Sequence, residues 1–320
     1  MSESVYLSGW RYRALILSVV FSALGYLGFS LWGGWQGVSN AIAKVGILGI
    51  AAALLMSLIN YGLRFLRWQR YLKSFGHDIP WKPSLQMYLA GFALTTTPGK
   101  AGEALRGVLL KPWGVHYPQS FAAFFSERLS DLFAVVLLTL FGLTSYPDAR
   151  PMILVGVFLV LLGFAVLSQS RLVELLTHLV PERGGKLVGF LRHLLNVLLE
   201  AQRCHQLGML LGATILSISA WSVEALAFYW ILNWMGAEIS FAFAIFVYAI
   251  AMLAGALSFM PGGLGGAEAV MVSLLILKGM PSADAIAATI LIRLATLWFA
   301  VGIGIYALAN NVSLNKKQLI

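Results

Sequence analysis

Apolar residues fall along this chain in runs about as long as a bilayer is thick. Helical crossings need about 20 such residues each, and runs of that kind cover 14–32, 46–66, 121–145, 150–168, 207–234 and 285–309. Two further apolar regions, 84–112 and 241–279, are interrupted at Pro98 and Pro261. Proline removes a helical N–H and clashes with the preceding turn, so each region predicts two short helices joined at a break. The pattern predicts an all-α polytopic membrane protein with about six full spans plus two re-entrant helical hairpins. The first run follows Arg11 and Arg13 and has no persuasive small-residue cleavage site. It reads as a retained span rather than a signal peptide.

The polar intervals orient the spans. With the N terminus in the cytoplasm, the interval 67–82 is inside and carries Arg67, Arg70, Lys73 and Lys82. The connection 169–206, with Arg171, Arg183, Lys186, Arg192 and Arg203, is also inside, as is the tail with Lys316 and Lys317. The opposite side receives Lys44, Arg150 and Lys278. This asymmetry follows the positive-inside rule, provided both interrupted regions return to the side they left. The first hairpin then enters from the cytoplasm and the second from outside, which makes inverted-topology repeats. The expected organisation is one membrane domain, 1–320, with repeat one at about 46–145, a connector at about 146–206 and repeat two at about 207–309. Within the connector, Leu187, Phe190, Leu191, Leu194, Leu195 and Leu198 recur at helical spacing over 185–203. That stretch predicts an amphipathic helix on the cytoplasmic interface, with a plain connecting role.

Composition supports the same class. Hydrophobic residues make up 59% and charged residues 11% of the chain, with mean hydropathy +0.83, against about 25% charged residues in soluble domains. The net charge of +9 sits between apolar runs rather than in an aromatic-interleaved basic surface, so nucleic acid is not an expected partner. One cysteine, Cys204, placed in a polar connection, gives no disulfide framework. The five histidines lie in loops or interfacial stretches and form no zinc-type cluster, so no metal or cofactor is expected.

The candidate chemistry lies at membrane depth. Glu103, Arg106, Glu127, Arg128, Asp131, Glu224, Glu268 and Arg293 sit within apolar sequence, and Arg64 near the end of its span is a ninth. Each charge costs about 2.5–3.5 kcal/mol at a lipid-facing helix centre. Eight together would cost on the order of 20 kcal/mol, so they must line a polar cavity or neutralise one another. Glu127 and Asp131 share a helix face beside Arg128, and Glu103 and Arg106 are a helical neighbour pair. The breaks read Pro98-Gly99-Lys100-Ala101-Gly102-Glu103 and Pro261-Gly262-Gly263-Leu264-Gly265-Gly266-Ala267-Glu268. Each would start a helix near mid-membrane, where N-terminal N–H groups favour anions and glycines allow close approach. The expected ligand is an anionic or zwitterionic headgroup. Two plainer explanations stand beside it: internal salt bridges between helices, and close helix packing at the second glycine-rich stretch.

At these residues the chain resembles the flippase-like integral membrane proteins related to the transmembrane region of lysylphosphatidylglycerol synthases. The carriers are Pro98 to Glu103 with Arg106, Glu127-Arg128 with Asp131, Pro261 to Gly265 with Glu268, and Arg293. Lys100 stands where the family usually has Arg, which keeps the charge but loses a bidentate fork. The sequence holds no counterpart of the synthases' soluble aminoacyl-transferring domain. The resemblance therefore implies translocation of a phosphate-bearing lipid, of phospholipid or polyprenyl-phosphate type, in the plasma (inner) membrane, where the charge asymmetry predicts both termini to be cytoplasmic. It implies a membrane lipid as substrate and leaves a homo-oligomer or a partner enzyme of a lipid pathway open. No nucleophile elbow or Walker sequence is present, so catalysis is not expected. An intramembrane lipid-modifying enzyme using the Glu and Asp cluster, or a structural partner subunit, are the alternatives.

Overall fold

The computed structural model describes residues 35–97, 106–144, 150–167, 185–258 and 260–317, with the single positions 28, 103, 148, 169, 175 and 180–181. Apart from those isolated positions, the expected span 14–32 and the part of the connector between 168 and 184 lie outside the described residues. Every described element is helical. They are α1 (Trp35–Ser74), α2 (Trp81–Ala90) running into a 3-10 turn at Gly91–Leu94, α3 (Arg106–Leu110), α4 (Tyr117–Leu143) and α5 (Arg150–Leu167). There follow α6 (Lys186–Cys204), α7 (Leu207–Trp234), α8 (Phe241–Leu257), α9 (Gly266–Leu277), α10 (Ser282–Arg293) and α11 (Phe299–Lys317). A π-helical segment, Leu294–Trp298, joins α10 to α11.

Among the described residues, three helical stretches are long and apolar enough to cross a membrane: Gln36–Ser74, Leu207–Trp234 and Ser282–Ala309. Shorter apolar helices cover Arg150–Gly163, Phe241–Leu257 and Gly266–Leu277. α4 has the length of a span but carries Glu127, Arg128 and Asp131 at its middle. With these helices the chain is an integral membrane protein.

Two boundaries differ from the expectation. The interval 67–82 is not a loop up to Ser74: α1 continues through it, and only the short link to Trp81 is non-helical. Cys204 is the last residue of α6 and is buried, not part of a polar connection. α1 also begins before the apolar run and is kinked at Gly46, whose φ of 68° is left-handed and costs glycine little.

The same helix ending recurs four times among the described residues. α1 closes at Gly76, whose N–H donates to Lys73 O while His77 N–H donates to Leu72 O. α7 closes alike at Gly236, onto Asn233 O and Leu232 O. Gly114 after α3 and Gly279 after α9 repeat the pattern. A left-handed glycine there satisfies the last carbonyls and turns the chain sharply. Consequently the order helix, short link, helix, break, helix, short link, helix occurs once as α1–α2–α3–α4 and again as α7–α8–α9–α10.

α1 lies along α7, and α4 packs between α7 and α8. α8 and α9 lie side by side across their break, while α11 covers α2 and its 3-10 turn. One apolar core forms where α1, α7, α8, α9 and α10 meet, around Phe228, Val247, Met271 and Ile292. A second forms around Trp68, Tyr71, Tyr88 and Leu110, where α1, α2, α3, α4 and α11 meet. α5 packs mainly on α4 and leaves Leu154, Phe158 and Leu161 exposed, as a lipid-facing helix would. On α6, Leu195, Ala201 and Cys204 are buried while Leu191 and Leu194 remain exposed. Its apolar face is thus shared between α4 and the surroundings.

Candidate substrate site in two buried charge networks

The polar residues expected at membrane depth converge in the protein interior. Arg67 of α1 is the centre of the first network. Its Nη1 lies 2.6 Å from Asp131 Oδ1 and donates to the hydroxyls of Ser130 and Ser217. Its Nη2 lies 3.9 Å from Glu127 Oε1. One turn earlier on the same helix, Arg64 reaches Asp131 Oδ2 at 3.6 Å. Arg106, at the start of α3, bonds Glu127 Oε2 at 2.6 Å and Glu103 Oε2 at 3.4 Å. Arg128 spans Glu103 at 3.5 Å and Asp131 at 3.4 Å. Trp221 of α7 donates its indole N–H to Asp131 Oδ1 at 3.1 Å. The cost of charge in apolar sequence singles out Arg64, Glu103, Arg106, Glu127, Arg128 and Asp131, and the structure joins them through Arg67.

The polar interval 67–82 places Arg67 in a cytoplasmic loop, yet it is 0% exposed. A signal for it exists in its three-residue spacing from Arg64, which puts both on neighbouring helix faces. The polar run that follows hides its depth.

Aromatic rings hold the arginines in place. The Arg106 guanidinium lies 5.6 Å from the Trp68 ring and 5.1 Å from Tyr88. Arg64 lies 5.9 Å from Phe92 and 5.8 Å from Trp221. Cation–π contacts of this kind are worth more when desolvated, and rings fix the guanidinium plane without neutralising it. Gly91 allows the Arg106 stem to lie against the backbone: a Cβ there would come within 2.8 Å of Arg106 Cδ.

The network is unbalanced. Among the described residues, four arginines face three carboxylates, a formal excess of one positive charge. Arg64 Nε, Arg67 Nε, Arg106 Nη1 and Arg128 Nε are buried without a hydrogen-bond acceptor. Arg64 Nη2 and Arg67 Nη2 make no hydrogen bond but face Asp131 Oδ2 and Glu127 Oε1 as ion pairs at 3.6 and 3.9 Å. Buried donors left unmet are costly, so the network has capacity for further anionic oxygens.

The second network surrounds the other break. Arg293 Nε bonds Glu268 Oε1 at 2.6 Å, and its Nη2 donates to Gly262 O at 2.9 Å. Glu268 Oε2 in turn accepts from the N–H of Gly265 at 2.7 Å. The sequence pattern has the start of α9 offering open N–H groups to a ligand, but the chain's own carboxylate occupies this one. Gly262, Gly263 and Gly265 all have positive φ, and Gly263 packs against Gly255, where a Cβ would meet backbone at 3.1 Å. Gly266 packs on Ser258. Close packing therefore accounts for Gly263 and Gly266 directly. Glu224 of α7, also a candidate, accepts from the Tyr248 hydroxyl of α8 at 2.6 Å. Pro98, Gly99, Lys100 and Gly102 lie outside the described residues.

The two networks repeat one design. In each, a Glu just after the break pairs with an Arg on the following helix: Glu103 with Arg128 and Glu268 with Arg293. The sequence separation is 25 in both. The breaks also touch, since a Cβ on Gly262 would lie 3.4 Å from Thr96 Cα. Thr95 beside it donates to Glu103.

Comparison with known families decides the affiliation of a chain built in this way. The family described as "Lysylphosphatidylglycerol synthase TM region" matches residues 15–304. The chain belongs to that family. Its similar relatives include a UPF0104 membrane protein of Pyrococcus horikoshii, 24% identical over 86% of this chain and 90% of the relative. A UPF0104 membrane protein of Methanothermobacter thermautotrophicus is 25% identical over 88% of this chain and 89% of its own. One of Methanocaldococcus jannaschii is 26% identical over 71% of this chain and 98% of its own. The family match covers both networks, from Arg64 through Arg293.

Proposed function

We propose that this protein moves a phosphate-bearing lipid between the leaflets of the inner membrane, with the headgroup held at the first network and the acyl chains left in the bilayer. The observation that carries this reading is the excess of guanidinium in the first network: the buried Arg64, Arg67 and Arg106 with the part-exposed Arg128, against three buried carboxylates among the described residues, with donors left over. A phosphate presents several anionic oxygens that match guanidinium forks. The family's description names a phospholipid synthase's membrane region, which supports a lipid as the bearer of that phosphate. The two breaks are read as re-entrant hairpins, the first entering from the cytoplasm and the second from outside, with both termini cytoplasmic. That arrangement sets the Glu–Arg pairs near the bilayer midplane, where transporters of paired repeats hold their substrates. The reading includes no covalent change to the lipid.

Purified protein reconstituted into liposomes should carry a labelled anionic phospholipid across the bilayer at a rate proportional to protein, without altering its mass. A new lipid species accumulating with protein would replace this reading with a lipid-modifying enzyme. No redistribution above protein-free liposomes, for phospholipid or polyprenyl-phosphate probes, would remove it.

A further inference from the structure

Arg64 and Arg67 are the inner part of a longer series. α1 carries a cation every third residue at Arg64, Arg67, Arg70 and Lys73. At 1.5 Å per residue, successive members are about 4.5 Å apart along the axis. Arg64 and Arg67 are buried in the first network, whereas Arg70 and Lys73 are exposed. The outer two line a cavity of about 540 Å³ together with Ser74 and, on α7, Gly208, Met209 and Gly212. The basic cavity and the buried network thus draw on successive turns of one helix.

The two cations of its lining suit an oxyanion. Arg70 offers a planar fork and Lys73 a compact charge. Lys73 pairs with Asp78 at 3.8 Å, but both side chains are largely exposed, at 62% and 87%, and such a pair is weak and exchangeable. The opposite wall is the first turn of α7, a helix of 28 residues, whose N-terminal amides add positive potential. Glycine keeps that wall low: a Cβ on Gly208 would meet nothing within 4 Å, and one on Gly212 would approach Arg70 Nη1 at 3.6 Å. The next cation inward, Arg67, retains Nε without a hydrogen-bond acceptor, and its Nη2 meets Glu127 only at 3.9 Å.

We propose that this cavity is the loading site of the protein, where Arg70 and Lys73 hold the phosphate of a lipid headgroup before it passes to Arg67 and Arg64. The inference rests on the proposed lipid transport for its role, but the binding site has a local test of its own. In a Cys204→Ser background, Gly208→Cys places a thiol on the open wall, where maleimide labelling reports occupancy. Phosphatidylglycerol added to the detergent micelles should slow labelling severalfold, and phosphatidylcholine should do so less. The protection should disappear in R70Q/K73Q and return in R70K/K73R, which keeps the charges.

Absence of protection by phosphatidylglycerol, or protection that survives R70Q/K73Q, overturns the site. Equal protection by inorganic phosphate at matched concentration would make it a free-anion site and overturn its loading role. Protection that depends on Arg70 and Lys73, in a protein that moves no lipid in liposomes, would sink the proposed function while leaving this lipid-binding site in place.

Discussion

Asp131 is the carboxylate on which the first network depends most, and Asp131→Asn tests that dependence with almost no change of shape. The wild-type side chain faces Arg67 at 2.6 Å, Arg128 at 3.4 Å and Arg64 at 3.6 Å, and accepts from Trp221 at 3.1 Å. The amide can keep one of these contacts as an acceptor but loses the charge. The formal excess then rises from one positive charge to two, around an Arg67 that is fully buried. Removing one partner of a buried pair costs about 3–5 kcal/mol. With an unfolding entropy of about 2.1 cal/mol/K per residue, a chain of this length should lose roughly 4–7 °C in melting temperature. Arg128→Gln is the matched comparison. Its side chain is 24% exposed and its two contacts lie at 3.4 and 3.5 Å. Removing it lowers the excess to zero, so its stability cost should stay near ~1 kcal/mol or below. Both variants are measured as detergent-purified protein by scanning fluorimetry with size-exclusion recovery after heating. Equal stability of Asp131→Asn and wild type, or an Arg128→Gln loss as large as that of Asp131→Asn, would refute this charge balance.

Glu268→Gln removes the anion that both pairs with Arg293 and caps Gly265; it should lower stability by about 3 kcal/mol, read in the same melting assay. Gly304→Ala places a methyl group against the backbone of Phe92 and Ala93. Overpacking there should cost about 1–3 kcal/mol and appear as faster exchange of the Gly91–Leu94 amides. His205, at the junction of α6 and α7 outside the spans, is pushed down to about 4 by burial, against about 6.5 when free. Between these values the unfolded chain binds the proton and the folded one does not. Stability should therefore fall as pH drops from about 6.5 to about 4, by at most about 3 kcal/mol from this group, with no further loss below. His205→Gln should flatten that part of the pH–stability curve; an unchanged slope would show that His205 is not its source.

Much of this architecture is written in the order of residues. The run 207–234 becomes α7 at the same limits, because a segment apolar on all sides has one stable arrangement in a bilayer, a helix whose backbone bonds are internal. Prolines and glycines at 98–102 and 261–266 mark where regular helix stops, and the second of these is seen as the break between α8 and α9. The cost of charge in lipid is enough to single out Glu103, Arg106, Glu127, Arg128, Asp131, Glu268 and Arg293 as groups that must meet partners. Sequence does not say which partner each meets, since pairing depends on how α1, α4 and α7 rotate against one another. Only tertiary packing turns Arg67 from a loop residue into the centre of a network, by extending α1 past its apolar run and setting it against Ser130 of α4 and Ser217 of α7. It also closes the second break with the chain's own carboxylate, because the helix that starts at Gly266 brings Glu268 back over Gly265. Local pattern determines the helices and the need for charge compensation; the contacts that satisfy it are long-range, and long-range contacts follow from packing.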